Sequence, residues 1–208
     1  MNFLCHSEIA LYVSEQSPSL QNQQAGMLAG AVLGDFLKGP LKETWDPSLT
    51  MGIKLHRKID AMSNGNAIIQ TACNRFPSQM RRIAPILIDI LSDYFLANDW
   101  ETYQQNSLND FSTKCYLALT NYQGVNNDKF SNFLKYMKGK NLLANSINWK
   151  TIETTTFSVL KRLRKESELI PTLEAMVQAR PLLAQDFTDF YPILRNSSLD
   201  WVLDSISQ

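Results

Sequence analysis

The segment Gly52 to Asp60, GIKLHRKID, holds residue types whose spacing is suited to chemistry. The chain has two histidines, and one of them, His56, stands four residues before Asp60, with Arg57 and Lys58 between them. Residues four apart lie on the same face of a helix, so the imidazole and the carboxylate are expected side by side. This pairing is typical either of a surface ion pair or of a site for a metal ion or a phosphate group.

Asp35 falls on the apolar side of its predicted helix, in line with Leu28, Ala31 and Val32. An unpartnered carboxylate inside a core is costly enough that it would rather take up a proton. Asp35 is therefore predicted to lie at the rim of the core or inside it. Its expected partner is an arginine, a helix N-terminus or a metal ion.

Asp89 and Asp93 are a second pair with helical spacing, and they interrupt the apolar segment IAPILIDILSDYFL. Like charges one turn apart repel each other, and a bound divalent cation or a neighbouring arginine would remove that cost. Helical bundles hold hard metal ions with carboxylates and histidines from different helices. The second histidine, His6, lies on a predicted helix beside Ile9 and is either a core residue with satisfied hydrogen bonds or a further ligand.

Helices are predicted to position all of these residues, because apolar side chains recur at intervals of three and four and alternating runs are few. The sequence predicts an all-α, single-domain helical bundle of about eight helices over residues 1–208. Beyond the helix of His6, helices are predicted over 27–39, 51–64, 85–97, 108–119, 130–137, 152–165, 172–180 and 182–195. Arg180-Pro181 is taken as the break between the last two of these helices.

The overall composition excludes a strong general preference for nucleic acid or for an anionic membrane. The 208 residues contain 20 Lys+Arg and 20 Asp+Glu, so the formal net charge is zero. Basic residues cluster only locally, and such clusters are either solvated helix faces or patches for an acidic partner or a phosphate. The clusters are Arg57-Lys58, Arg75, Arg81-Arg82 and KRLRK at 161–165.

The cysteines and the hydropathy predict a cytoplasmic protein with no membrane segment. Cys5, Cys73 and Cys115 are far apart and form no CxxC motif, which is typical of a reducing compartment. The segment MNFLCHSEIA has no basic region of the kind that begins a signal peptide. No apolar run approaches the roughly 18 residues that a membrane span needs.

Several motifs follow in an order that is similar to a known family. They are MNFLCH at the N-terminus, GAVLGDFLKG at 30–39, GIKLHRKID at 52–60, RRIAPILIDILSDYFLANDW at 81–100, FSNFLKYM at 130–137, Arg180-Pro181 and DFYPIL at 189–194. Together they resemble the acyl carrier protein phosphodiesterases, also called acyl carrier protein hydrolases, which are relatives of the HD-domain metal-dependent phosphohydrolases. The resemblance covers nearly the whole chain and implies an HD-domain-like helical fold.

The resemblance implies a reaction and a set of roles. Such enzymes hydrolyse the phosphodiester between 4′-phosphopantetheine and a serine of holo acyl carrier protein, an acidic protein, and depend on a divalent metal, typically manganese. Implied metal ligands are His6, Asp35, His56, Asp60, Asp89 and Asp93. Implied catalytic residues are Asp35, His56, Arg57 and Asp93, where Arg57 would hold a phosphate oxygen and a carboxylate would orient or deprotonate water. Arg75, Arg81, Arg82 and the KRLRK run are candidate docking charges for the carrier protein.

Three departures from the family pattern leave two alternatives open. The family commonly has Asn at the place of Ala31, Asp at the place of Asn64, and His at the place of Tyr94. A phenol is a poor substitute for imidazole as a base at neutral pH. The alternatives are a metal-dependent phosphohydrolase acting on another phosphodiester, and a non-catalytic relative that binds the carrier protein.

Overall fold

A computed structural model describes residues 2–122 and 128–207, and within these ranges the chain forms ten α-helices and short 3₁₀ turns, without strands. The all-α class is therefore confirmed, with two short helices, α4 and α6, beyond the predicted set. The helices are α1 (Phe3–Gln16), α2 (Gln24–Leu33), α3 (Pro47–Asn64), α4 (Ala67–Cys73), α5 (Ala84–Asn98), α6 (Trp100–Tyr103), α7 (Leu108–Asn121), α8 (Asp128–Lys140), α9 (Trp149–Arg162) and α10 (Leu169–Ile206).

The prediction of two helices separated at Arg180-Pro181 is wrong, because α10 runs through both Pro181 and Pro192 as one helix of 38 residues. A proline inside a helix removes one backbone hydrogen bond and disfavours the helical conformation of the residue before it. Tertiary packing outweighs this local cost here. Leu183, Phe187 and other apolar side chains beyond Pro181 are buried in the core, so the helix continues past the proline.

Helix α1 lies at the centre of the fold, and every side chain from Leu4 to Leu11 is buried. The N-terminus of α1 is capped by a side chain of another helix, α5. The Asp93 carboxylate accepts hydrogen bonds from the backbone N–H groups of Leu4 and Cys5, both at 3.0 Å. A carboxylate at this end satisfies two free N–H groups and complements the helix dipole. This contact fixes the position of the helix turn that carries His6.

Helices α2 and α3 approach each other closely at two glycines. A Cβ atom on Gly30 would lie 2.6 Å from the backbone nitrogen of Ile53, and one on Gly52 would lie 2.5 Å from the carbonyl oxygen of Met27. Only residues without a side chain allow this separation. The close approach brings the C-terminal end of α2 against the middle of α3, where His56 lies.

The ten helices enclose one continuous apolar core, to which α1, α2 and α5 contribute most of their side chains. Although α10 is long, no helix in the described part of the chain is apolar enough over a sufficient length to cross a bilayer.

Candidate metal centre

Two helices bring both histidines and one carboxylate of the chain together. His6 on α1 and His56 and Asp60 on α3 place possible ligand atoms within 4.8 Å of one another. His6 Nε2 lies 3.2 Å from Asp60 Oδ1, and His56 Nε2 lies 3.4 Å from Asp60 Oδ2. The two imidazole rings are stacked with their centroids 4.0 Å apart. Two nitrogens and a carboxylate at this separation form a donor set that divalent cations bind.

The orientation of His56 is fixed by the backbone of α2. Its Nδ1 lies 2.7 Å from the carbonyl oxygen of Ala31, so Nδ1 carries the proton and donates it to that carbonyl. Nε2 then faces the carboxylates of Asp60 and of Asp35, whose Oδ1 is 3.7 Å away. A second hydrogen bond from the far ring nitrogen is the usual way in which proteins orient a metal-binding histidine.

The Nε2 atom of His56 provides a test of whether the residues fit a metal ion. This atom is buried and, among the described residues, has no hydrogen-bond partner of good geometry, although two carboxylates lie within 4 Å. A buried polar atom left in this state is costly unless a further group completes it. A cation between Nε2 and the carboxylates would satisfy all three side chains, so the donor set fits a divalent metal.

Without a metal ion, the charges of the cluster favour a protonated His56 between two ionised carboxylates, beside a neutral His6. Burial opposes the charged form of His56, but the carboxylates of Asp35 and Asp60 outweigh it and raise the pKa of His56 to about 9. Burial and the positive charge on His56 lower the pKa of His6 to about 3. Although burial acts in the opposite direction, His56 and His6 hold the pKa of Asp60 well below its usual range.

Asp35 lies just beyond the end of α2, at the rim of the core. Its side chain is 48% exposed, and its Oδ1 lies 3.8 Å from Lys38 Nζ as well as 3.7 Å from His56 Nε2. Burial acts against ionisation, but the neighbouring His56 lowers the pKa of Asp35. Of the two positions that the sequence left open, the rim and the interior of the core, Asp35 occupies the rim, and its carboxylate is open to solvent on one side.

The two aspartates of α5 have different surroundings. Asp93 is buried, and each of its carboxylate oxygens accepts a hydrogen bond from the N-terminus of α1. Burial raises the pKa of Asp93 to about 6. Asp89 is half-buried, and burial together with the charges of Asp60 and Asp35 raises its pKa. The observed partner of Asp93 is therefore the N-terminus of α1, which its spacing in the sequence did not suggest.

Arg57 and Tyr94 also have partners of their own. Arg57 donates from Nη2 to the carbonyl oxygens of Leu37 and Gly39, at 2.8 and 3.0 Å, and so holds the loop that follows α2. Tyr94 packs edge-on against Trp149 of α9, with ring centroids 5.4 Å apart. The place of the family histidine is therefore taken up by an aromatic contact between α5 and α9.

A cavity of about 570 Å³ lies beside the cluster. The residues that line it include all four aspartates predicted as ligands, Asp35, Asp60, Asp89 and Asp93, together with Asn64. The cavity wall near the histidine cluster is therefore acidic. Tyr94, which stands where the resemblance implies a histidine, is not among the described residues that form this wall.

Sequence reasoning missed two parts of this site. The carbonyl of Ala31 has no signal in the sequence, because any residue supplies one. The face of α9 that lines the cavity, Thr151, Thr155, Ser158 and Arg162, has the 3.6-residue period of a helix, but an exposed polar face has the same period. Only the packing of α9 against α5 distinguishes the two.

The fold is an all-α bundle in which two buried histidines and Asp60, beside a cavity lined by aspartates, form a cluster that could hold a divalent metal ion between helices. The family model for acyl carrier protein phosphodiesterase matches residues 1–194, and the chain belongs to this family.

Full-length relatives agree with this membership. The chain is 26% identical to an acyl carrier protein phosphodiesterase of Yersinia enterocolitica over 201 residues, which covers 96% of this chain and 98% of the relative. A relative of the same name from Yersinia pestis is 26% identical over 195 residues, covering 93% and 95%. One from Escherichia coli is 35% identical over 100 residues, covering 48% and 46%. No solved structure matches the chain, so the HD-domain relationship stays a prediction.

Proposed function

We propose that this protein hydrolyses the phosphodiester between 4′-phosphopantetheine and the serine of holo acyl carrier protein, releasing apo carrier protein and 4′-phosphopantetheine. The observation that carries the proposal is the convergence of His6, His56 and Asp60 beside a cavity, in a chain of this family. In a protein that did not belong to a phosphodiesterase family, the same three residues would indicate only a cation site.

His6, His56, Asp60 and Asp35 are the residues that would hold a divalent metal, with manganese as the proposed ion. Such an ion, when bound, lowers the pKa of a water molecule and neutralises charge on the phosphoryl group. The Ala31 carbonyl keeps His56 Nε2 directed at the centre. Asp35, half open to solvent, is placed to orient and deprotonate a water molecule at the rim.

Arg57 and Asp93 act in this proposal as positioning residues. Arg57 holds the loop whose first residues carry Asp35, through the carbonyls of Leu37 and Gly39. Asp93 holds the first turn of α1, which carries His6. Asp89 lines the cavity near Asp60 and Asp35 and is the remaining carboxylate that a second cation would use.

The carrier protein is the proposed partner, and the cytoplasm is the proposed location. Exposed cations lie within two residues of residues that line the cavity: Lys135 on α8, Lys161 in the last turn of α9, and Arg164 just beyond α9. These charges are suited to an acidic partner. Arg75, also predicted to dock, instead binds Asp186 of α10. The three cysteines are unpaired, which favours a reducing compartment.

The reaction is tested by mass spectrometry of holo acyl carrier protein incubated with the protein and manganese. We expect the carrier protein to lose the mass of 4′-phosphopantetheine, and we expect neither activity nor bound manganese with Asp60→Asn. Elemental analysis of wild type beside Asp35→Ala reports metal content independently. Bound manganese without any change in the mass of the carrier protein would contradict the proposed substrate.

A further inference from the structure

The cavity extends beyond the histidines and aspartates along one face of α9. Thr151, Thr155, Ser158 and Arg162 line it at intervals of four, three and four residues, so they form a single stripe on that helix. At the helical rise of 1.5 Å per residue the stripe is about 16 Å long. A phosphodiester alone would occupy only a small part of such a groove.

Two hydroxyls of this stripe, those of Thr151 and Thr155, differ from that of Ser158 and from most threonine hydroxyls on the exposed helix faces. Thr154 and Ser158 donate to the carbonyls four residues earlier, as Thr113, Thr120 and Thr188 do. Thr151 and Thr155 are half-buried, and their hydroxyls form no hydrogen bond with any described residue. Thr151 and Thr155 thus place two half-buried hydroxyls in the cavity wall, without a hydrogen-bond partner among the described residues, and both are available to a ligand.

Charge and apolar surface complete the groove. Among the described residues that line it, Arg162 is the one cation, and none of the ion pairs of the described chain includes it. Ile86 and Ile90 of α5 and Val159 of α9 provide apolar wall between the polar groups. The wall therefore combines hydroxyls, a guanidinium and aliphatic carbon, and it suits an elongated neutral chain with amide groups and methyl groups.

We propose that the α9 stripe, made of Thr151, Thr155 and Arg162, binds the pantetheine arm that is attached to the phosphate. The arm carries amide groups and a hydroxyl for the polar residues, and geminal methyl groups for the aliphatic wall. The proposal rests on the proposed function, which supplies the ligand. It adds that recognition of the arm, separate from the metal centre, selects the phosphodiester of a carrier protein over other phosphodiesters.

The test compares Thr151→Val/Thr155→Val with wild type, because valine keeps the shape of threonine and removes the hydroxyl. We expect kcat/KM for holo carrier protein and the affinity for free 4′-phosphopantetheine each to fall about tenfold. Manganese content and hydrolysis of bis(4-nitrophenyl) phosphate stay at the wild-type level. Thr154→Val, on the same helix but facing away from the cavity, is the matched control and leaves all four measurements unchanged.

A second variant guards against a folding defect in the double mutant. Arg162 is exposed, so Arg162→Gln is expected to fold normally and still to weaken binding of 4′-phosphopantetheine severalfold, whereas its neighbour Lys161→Gln does not. If both stripe variants bound 4′-phosphopantetheine with wild-type affinity, the proposed binding role of the stripe would be contradicted, whereas the proposed hydrolysis would be unaffected. A wild-type protein that binds 4′-phosphopantetheine through the stripe but releases none from carrier protein would overturn the reaction alone.

Discussion

His56 is held between two carboxylates and a carbonyl. Its Nδ1–H is committed to Ala31, and its Nε2 faces Asp35 and Asp60 at 3.7 and 3.4 Å. A lone pair directed at two negative charges is unfavourable, so Nε2 requires a positive charge in front of it. Without a metal ion this charge is a proton on Nε2, and a divalent metal bound as proposed would supply it instead.

If the proposed manganese ion binds His56 Nε2, it competes with a proton there, and the affinity for manganese is expected to depend on pH. The pKa of His56 is raised to about 9, so below pH 9 a cation must displace a proton from Nε2. We expect the apparent Kd for manganese to fall about tenfold per pH unit between roughly pH 7 and 9, and then to level off. Calorimetry in buffers with different ionisation enthalpies should count one proton released per ion. A Kd that is flat over this range would show that Nε2 is not a ligand.

Asp93 offers a sharp distinction between a ligand and a helix cap. Asp93→Asn keeps one acceptor but turns an amide N–H₂ toward the N–H of Leu4 or Cys5. We expect the free energy of unfolding to fall by about 1–3 kcal/mol, with manganese still bound. Chemical denaturation measures the first effect and elemental analysis the second. If Asp93→Asn removed manganese as completely as Asp60→Asn does, Asp93 would be a ligand instead.

Gly34 is a residue through which the imidazole of His56 is positioned. A Cβ atom on Gly34 would overlap the Cγ and Cδ2 atoms of His56. We expect Gly34→Ala to displace the ring from the Ala31 carbonyl and to weaken manganese binding at least tenfold, as loss of a supporting contact does in other metal sites. The affinity is measured by titration with manganese.

Gly139 provides the matched control for Gly34. It lies on the exposed face of α8, with open space around the position of a Cβ atom. Gly139→Ala is expected to stabilise the protein by about 0.5–1 kcal/mol and to leave manganese affinity unchanged. Equal effects of the two alanines on manganese binding would contradict a specific role of Gly34.

At the scale of elements, the helices with a strong period were predictable, and the longest one was not. Apolar residues at intervals of three and four mark α3 and α7 to within a few residues, because each of these helices buries one face. Helix α5 is buried on most sides and is marked by its apolar segment instead. The apolar residues of α10 also recur at helical intervals, but Pro181 is a local signal for the end of a helix and predicts two helices here. Continuity past Pro181 depends on core contacts from distant parts of the chain, which no local pattern contains.

Helix α10 is tied to the central helix α1 through a buried charge. Glu8 is fully buried, and its carboxylate accepts hydrogen bonds from Arg195 at 2.8 Å, Tyr191 at 2.6 Å and Gln104 at 2.8 Å. Removing one partner of a buried pair leaves an uncompensated charge. The contact between α1 and α10 therefore depends most on Arg195, the one donor to Glu8 that carries a compensating charge.

Arg195→Met tests this contact between the helices. We expect the free energy of unfolding to fall by about 3–5 kcal/mol, and the added change Glu8→Gln to restore part of it, because the unpaired charge is then gone. Lys150→Met is the control, since the Lys150–Glu153 pair is solvent-exposed and is worth roughly 0–1 kcal/mol. A loss with Arg195→Met no larger than that of the control would show that the Glu8 carboxyl does not need the arginine.

At the scale of the whole molecule, the sequence indicated which aspartates lie near the site. It did not indicate which partner each aspartate contacts. Helical periodicity places Asp35 on an apolar face, Asp60 is paired with His56, and Asp89 and Asp93 interrupt an apolar segment. All four aspartates line one cavity. Their individual partners depend on how α1, α2, α3 and α5 cross. Two inward aspartates one turn apart on α5 thus end in different surroundings, one against the N-terminus of α1 and the other in the cavity.

The zero net charge of the chain makes the docking of a carrier protein depend on local charge. Lys161 and Arg164 are exposed beside the end of α9 that carries Arg162 into the cavity. An acidic partner approaching the cavity meets these charges first, and charges of this kind act mainly on the rate of association. Their effect is expected in kcat/KM and not in kcat.

We therefore expect Lys161→Glu/Arg164→Glu to lower kcat/KM for holo carrier protein about tenfold at low ionic strength, with kcat unchanged. The loss should shrink severalfold in about 0.5 M salt, because exposed charges are then screened beyond a few ångströms. Lys54→Glu/Lys58→Glu introduces the same change in net charge on α3 and should have little effect. Hydrolysis of bis(4-nitrophenyl) phosphate should be the same in all three proteins. A salt-independent loss would place the two residues in the reaction itself and would remove the docking role from this end of α9.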